Sequence, residues 1–292
     1  MRKLILLAVG AMAAMSQPSP AATTSVTLVR DKQPAATIVT AKAPTPSARL
    51  AALEVQHHVQ RITGARLPIR TEADEVEGTR ILVGESDATR AIGLKGSGFK
   101  PQEYLIRFLP ATVVLIGRDW QDTPANRAEA GRGTNWPKTL ADWRHTIDYG
   151  AAVGRRPDGA KIELPGLFDD QGTCYAAYDF LERFCGVRWY GPTPLNVAAP
   201  TTADLVVKGA DVRRRPALLY REGLGGGWPI VKAQWNNPTA DQLDLYWRRL
   251  RVGGEKWAGN HSFMSFQDRF LHSPAFHTGH SIGNGYHDPG MK

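Results

Sequence analysis

The sequence predicts an α/β fold, a two-layer α/β sandwich in which a mixed sheet carries helices on one face. Three observations predict it. Short β-type runs that end at Gly or Pro alternate with helical segments along the chain. Two of those helical segments, one opening near Ser47 and one near Gly172, repeat apolar residues at three- and four-residue spacing. Six or seven strands against two helices is the proportion expected of a sheet covered by one helical layer.

The elements follow in order. Ser25 to Arg30 and Ala36 to Ala41 read as strands around an Asp31-Lys32-Gln33-Pro34 turn. Pro44 and Pro46 break the chain, and Ser47 offers a helix N-cap. Ala48, Ala51, Ala52, Val55, Val59 and Ile62 then recur at helical spacing, and Gly64 stands where a C-terminal cap belongs. Leu67 to Arg70 and Arg80 to Val83 read as strands, and Ser86 to Ile92 as a short helix. Glu103 to Leu109 and Thr112 to Gly117 form a hairpin whose second strand, Val113-Val114-Leu115-Ile116, is a continuous apolar run.

From Arg118 to Gln171 no periodicity is sustained, and Trp120, Trp136 and Trp143 are scattered among Gly, Pro and charged residues. A stretch this long predicts an insertion that folds partly on its own. Gly172 to Phe184 is the second helix, with Cys174, Ala177, Tyr178, Leu181, Phe184 and Cys185 as its buried stripe and Gly186 at its end. Val187-Arg188-Trp189-Tyr190 and Leu205-Val206-Val207 read as strands. Near Arg213 the character changes. Arg213-Arg214-Arg215 and Pro216 mark a domain boundary, Leu218 to Glu222 reads as the first strand of a new unit, and Pro238-Thr239 opens a helix bearing Leu243, Tyr246, Trp247 and Leu250 on one face.

The N-terminus predicts export. Met1-Arg2-Lys3 is a basic start, and Leu4 to Met15 is an apolar run of twelve residues, about 18 Å as a helix and too short for a bilayer core of about 30 Å. Ser19-Pro20-Ala21 supplies small residues for a cut after Ala21. Residues 1–21 are therefore expected to be a signal peptide sending the chain to the periplasm or the medium. No later apolar run approaches eighteen residues, so no membrane association is expected of the mature chain.

Composition is globular, with 42% hydrophobic and 22% charged residues and a formal net charge of +8. Losing Arg2 and Lys3 leaves +6, spread along the chain rather than gathered with aromatics, which argues against nucleic acid as a partner. Cys174 and Cys185 lie on one helix face about 16 Å apart, too far for a disulfide, and read as small buried hydrophobes. With two cysteines and no Cys/His cluster at ligand spacing, neither a metal nor any other cofactor is expected.

The order of motifs carries a resemblance. Ile62-Thr63-Gly64-Ala65-Arg66-Leu67-Pro68-Ile69 leads to Ile81-Leu82-Val83-Gly84. Later come Gly172-Thr173-Cys174-Tyr175-Ala176-Ala177-Tyr178-Asp179-Phe180-Leu181-Glu182 and Gly186-Val187-Arg188-Trp189-Tyr190. This resembles the N-terminal domain of bacterial family 67 α-glucuronidases, and more closely a family of uncharacterised secreted bacterial proteins that share it. The resemblance spans about residues 35–270, apart from 118–171. It implies residues 22–212 as that α/β domain and residues 213–292 as the opening of a glycoside-hydrolase-like (β/α)8 barrel. A whole barrel takes about 250 residues, so the barrel is expected to be incomplete and the gene truncated or frameshifted.

The implied chemistry is hydrolysis of a glycosidic bond, which needs two carboxylates across the scissile bond. In the resembling enzymes these come from later barrel strands. Glu222, Asp241, Asp244 and Glu255 follow no pattern that makes them a pair, so no catalytic residue is assigned. Three residues are candidates for contact with a carbohydrate. His261, in Asn260-His261-Ser262-Phe263 after an expected barrel strand, can hydrogen-bond sugar hydroxyls or serve as a structural histidine. Trp257 can stack on a sugar or fill a core. Arg221 can fork onto a uronic carboxylate or join an internal salt bridge. Gly223 to Gly227 lacks the Lys-Ser/Thr of a phosphate-binding loop, and His272, His277, His280 and His287 lack ligand spacing. The expectation is the accessory part of an exported α-glucuronidase-like hydrolase, catalytically incomplete. The alternative is a non-catalytic glycan-binding or scaffolding protein. No feature of the sequence selects an oligomeric state.

Overall fold

The computed structural model describes residues 23–121, 126, 146–155, 160–221 and 237–254. The signal segment 1–21, Glu222, the Gly223–Gly227 run, Glu255, Trp257, His261 and the four later histidines lie outside these residues.

Strand β1 (Thr24–Arg30) turns through Asp31 and Lys32, at φ 50° and 59°, into β2 (Gln33–Pro34). Two consecutive positive φ values match the right-handed twist of the paired strands. β3 (Ala36–Thr40) follows, then helix α1 (Pro46–Thr63). Its N-cap is Thr45, not Ser47: the Thr45 hydroxyl accepts from the Ala48 N–H, and Pro46 takes the first helical position, where no N–H is required. Ser47 lies inside the first turn, where its hydroxyl accepts from the Cys174 N–H. Gly64 ends the helix at φ 82°, as expected.

Next come β4 (Ile69–Thr71), β5 (Thr79–Val83), α2 (Asp87–Ala91) capped by Ser86, β6 (Tyr104–Leu109), β7 (Thr112–Gly117) and β8 (Asp119–Trp120). The described parts of the expected insertion hold β9 (Thr146–Asp148), α3 (Tyr149–Ala152), β10 (Lys161–Glu163) and β11 (Asp170–Gln171). Helix α4 (Gly172–Phe184) is followed by β12 (Arg188–Trp189), β13 (Val197–Ala198), β14 (Leu205–Gly209), β15 (Val212–Arg214) and β16 (Tyr220–Arg221). Helix α5 (Ala240–Arg249) and β17 (Gly253–Gly254) complete the described chain. Among the described residues no helix is long and apolar enough to cross a membrane.

These elements make a mixed α/β fold with several sheets. The largest sheet has the order β15-β6-β7-β5-β3-β4. Strands β4, β3, β5 and β7 run parallel, with β6 antiparallel to β7 and β15 antiparallel to β6. A three-stranded sheet, β14-β1-β2, stands beside it. Successive residues of the central strands face opposite ways. Ile38, Ile81, Val83, Val113 and Leu115 join the core that holds the α1 and α4 side chains. Val39, Leu82, Val114, Ile116 and Leu105 join a second cluster covered by Leu94 and Phe99, with Val76 and Ala88 packed on it. Burial on both faces is why β7 is a continuous apolar run rather than an alternating one.

The described parts of 118–171 pack with the rest of the described chain. Ile147, Tyr149, Ala152, Val153, Leu164 and Leu167 enter the same core as α1 and α4, although their spacing follows no single period. Further along, β12 pairs with β13 rather than with the large sheet. Cys174 and Cys185 are free and buried. Beyond residue 213, Leu245, Tyr246 and Trp247 of α5 also belong to the main core. β16 pairs antiparallel with β17, whereas consecutive strands of a (β/α)8 barrel run parallel.

Candidate functional site

The chemically most distinctive group lies where α1, α3 and α5 meet. Ala51, Glu54, His58 and Ile62 follow one another at three- and four-residue steps on α1, so a carboxylate and an imidazole point into the helix's apolar side. Both Glu54 and His58 are 0% exposed. From α5, Arg249 grips Glu54 with two bonds, Nε to Oε2 at 2.8 Å and Nη2 to Oε1 at 3.0 Å. From α3, the Tyr149 hydroxyl donates to Oε1 at 2.7 Å. Burial raises the pKa of Glu54, but Arg249 and the hydrogen bonds outweigh it and hold the carboxyl well below its usual value.

His58 is neutral. The Trp189 indole N–H donates to its Nε2 at 3.2 Å, so that nitrogen carries a lone pair, and Glu54 Oε2 at 3.7 Å is beyond hydrogen-bond reach. Its Nδ1 is buried without a partner among the described residues, as is the Tyr178 hydroxyl. Burial pushes the pKa of His58 down, and burial with the neighbouring His58 pushes His57 down to about 3. The Arg249 guanidinium lies 5.9 Å from the Trp189 ring centroid. With both oxygens of Glu54 engaged and none of its surface open, this group holds structure together and offers no acid or base to a substrate.

A second polar centre joins the two long helices. Gln171 provides no side-chain cap for α4, and Asp119 from β8 supplies one instead. Asp119 Oδ1 accepts from the Thr173 N–H at 2.9 Å, and Oδ2 accepts from the Thr45 hydroxyl at 2.8 Å. One carboxylate thus serves the N-termini of α1 and α4 together, where the helix dipoles favour negative charge. Gly117 and Gly172 allow this approach: a Cβ on Gly172 would lie 2.5 Å from Arg118 N and 2.6 Å from Glu103 O.

Arg221, the described member of the three expected sugar contacts, sits at the end of β16. Each of its nitrogens already donates a hydrogen bond. Nε donates to Arg251 O at 2.7 Å, Nη1 to Leu218 O at 2.6 Å and Nη2 to the Tyr175 hydroxyl at 3.0 Å. Its guanidinium also lies 5.6 Å from the Tyr175 ring centroid. This arrangement clamps β16 to α4 and to the chain after α5. His261 and Trp257 lie outside the described residues, so the three are not seen together. Asp241 Oδ2 accepts from the Asp148 N–H at 3.1 Å, and Asp244 Oδ1 lies 3.9 Å from Arg248 on the same helix. Among the described residues no group of three or more His, Cys, Asp or Glu is placed to hold a metal ion.

Sequence reasoning passed over Glu54, Tyr149 and Arg249. One signal was present, a Glu and a His four residues apart on the apolar side of an amphipathic helix. Nothing in the local pattern points to Arg249 as the partner.

No protein-family model matches the chain, and no curated protein matches it. Among solved structures it is similar to a family GH115 4-O-methyl-α-glucuronidase with specificity for decorated arabinogalactans. The TM-score is 0.41 at 14% sequence identity, over 78% of this chain. The chain spans 25% of that enzyme's length.

Proposed function

We propose that this chain is the N-terminal accessory part of an exported, α-glucuronidase-like glycoside hydrolase, with its catalytic carboxylates outside the described residues. The supporting observation is the shared destination of the family-resembling segments. Ile62, Ala65 and Leu67, then Ile81 and Val83, then Cys174 to Leu181, then Val187 and Trp189 all meet in one core. Segments that carry a resemblance in order along the chain are thus the segments that build the α/β unit. In this reading the unit supports a barrel, His261 and Trp257 contact sugar, and Arg221 positions β16. The reading takes Asp241, which accepts from the Asp148 N–H, and Asp244, near Arg248, as structural rather than as the catalytic pair.

The test uses the complete product of the gene, recovered from the periplasmic and extracellular fractions and incubated with glucuronic-acid-substituted oligosaccharides. Release of glucuronic acid supports the proposal. Retardation on polysaccharide in affinity gels without any hydrolysis replaces it with the non-catalytic glycan-binding reading. Neither release nor retardation overturns both.

A further inference from the structure

The segment 237–254 is held by three separate parts of the molecule, and three of its arginines do the holding. Arg248, fully buried, donates through Nε and Nη2 to Pro165 O at 3.1 and 2.9 Å. Arg249 pairs with Glu54 on α1. Arg251 Nη2 donates to Glu182 Oε2 on α4 at 2.6 Å. Backbone contacts reinforce them: the Gly254 N–H donates to Leu167 O at 3.1 Å, and the Asp148 N–H donates to Asp241 Oδ2 at 3.1 Å. Gly253 and Gly254 take φ values of 110° and 91°, and a Cβ on Gly253 would lie 1.7 Å from Leu167 O. Only glycine fits there.

Pro165, Leu167, Asp148 and Tyr149 all come from the stretch that sequence periodicity leaves unassigned. Its described parts are therefore a receptacle for α5. We propose that residues 146–155 and 160–171 form a socket, that α5 and β17 form its plug, and that Arg249 on Glu54 is the pin that keeps the plug seated. The device sets the direction in which the chain leaves residue 254 relative to the large sheet, and it opens as a unit while the sheet stays folded. Two features favour local opening over global unfolding. The plug closes a sequence-distant contact at the middle of α1. Beside the Leu245, Tyr246 and Trp247 side chains it lends to the core, its grip rests on a few polar bonds, of which those of Arg248 and Arg249 are buried and fail together once water enters. This inference concerns the architecture of the chain and stands or falls independently of the proposed hydrolase.

The experiment is native-state hydrogen exchange on the full chain, read by peptide. In sub-denaturing urea, amides of 240–250 should exchange ahead of those in β5 and β7. In Arg249→Met, which strands a buried carboxylate, opening of 240–250 should rise on the order of 1,000-fold, and 240–250 should still exchange ahead of β5 and β7, whose protection falls with the global stability. Three outcomes overturn the proposal. They are exchange of α5 and the sheet in one step in the unaltered chain, retained protection of 240–250 in Arg249→Met, and exchange of α5 and the sheet in one step in that variant.

Discussion

Glu54 and Arg249, 195 residues apart, form a two-bond ion pair in which neither side chain is more than 3% exposed. A buried pair of this kind is costly to assemble, because both ions leave water, and far costlier to break by removing one partner. Arg249→Met should therefore destabilise the protein by about 3–5 kcal/mol in urea unfolding. Replacing the whole group with apolar residues, as Glu54→Leu/Tyr149→Phe/Arg249→Met, should recover most of that loss. Tyr149 is included because its hydroxyl would otherwise lose its acceptor. A triple variant as unstable as Arg249→Met would mean that the pair is worth more than the packing that can replace it.

Acid should weaken the fold in two stages. The folded-state pKa values of His57 and His58 lie below the ordinary 6.5, so their contribution is complete above that value. It is lost as pH falls from about 6.5 toward the folded value of His57, about 3, because the unfolded chain binds the protons first. Glu54 adds a lower stage, since its depressed carboxyl stabilises above its usual 4.5 and stops doing so as pH falls through the folded value. Melting temperature should thus hold from pH 7.5 to 6.5 and decline below. Arg249, Arg155 and Arg61 add positive charge around the pair, and Glu54 opposes them. His57→Phe should flatten the upper stage, and a profile unchanged by that variant would reassign it.

Asp119 caps α4 and holds the Thr45 hydroxyl that caps α1, so Asp119→Ala should lose about 1–2 kcal/mol for the α4 cap and a further part for the freed Thr45. Asp119→Asn keeps one acceptor oxygen and should lose less than Asp119→Ala. Equal losses in the two variants would show that charge near the helix ends, rather than the hydrogen bonds, does the stabilising.

Gly172→Ala places a Cβ 2.5 Å from one backbone atom and 2.6 Å from another, neither of which can rotate away. Overpacking of this kind costs about 1–3 kcal/mol, and the midpoint of urea unfolding should shift accordingly. Gly98→Ala, where a Cβ meets nothing within 4 Å, is the control and should leave the midpoint in place.

Export is tested by Edman sequencing of the protein from the periplasm or medium. The expected first residue is Ala22, and an intact Met1 would remove the signal peptide from the proposal.

Local physics made most of the elements legible. Pro46 and Gly64 delimit α1 because one lacks an N–H and the other tolerates a left-handed backbone. The sequence erred by two residues over the cap, since Thr45 and Ser47 are both competent. The choice fell to Asp119, which binds Thr45, and to Cys174, which occupies Ser47. The stretch 118–171 was illegible for a different reason. Its buried residues, such as Ile147, Leu164 and Leu167, sit on short strands and turns whose facing changes every few residues, so they leave no period to read.

The sequence by itself determined the two long helices, the hairpin of β6 and β7, and the two-faced burial of β7. Each follows from spacing along a short run, and spacing is set by backbone geometry that any neighbouring residues obey. It also determined that Cys174 and Cys185 stay unbridged, because a helix keeps them apart. Only the tertiary structure decided that Glu54 is buried and ionised, that Arg221 holds carbonyls, and that Asp148, Pro165 and Leu167 meet the segment of α5 and β17. A periodicity states which side of a helix faces inward, but not which charge arrives there from 195 residues away. Whether a buried carboxylate is tolerable depends on that arrival, since burial penalises the charge and only a geometrically matched partner offsets it.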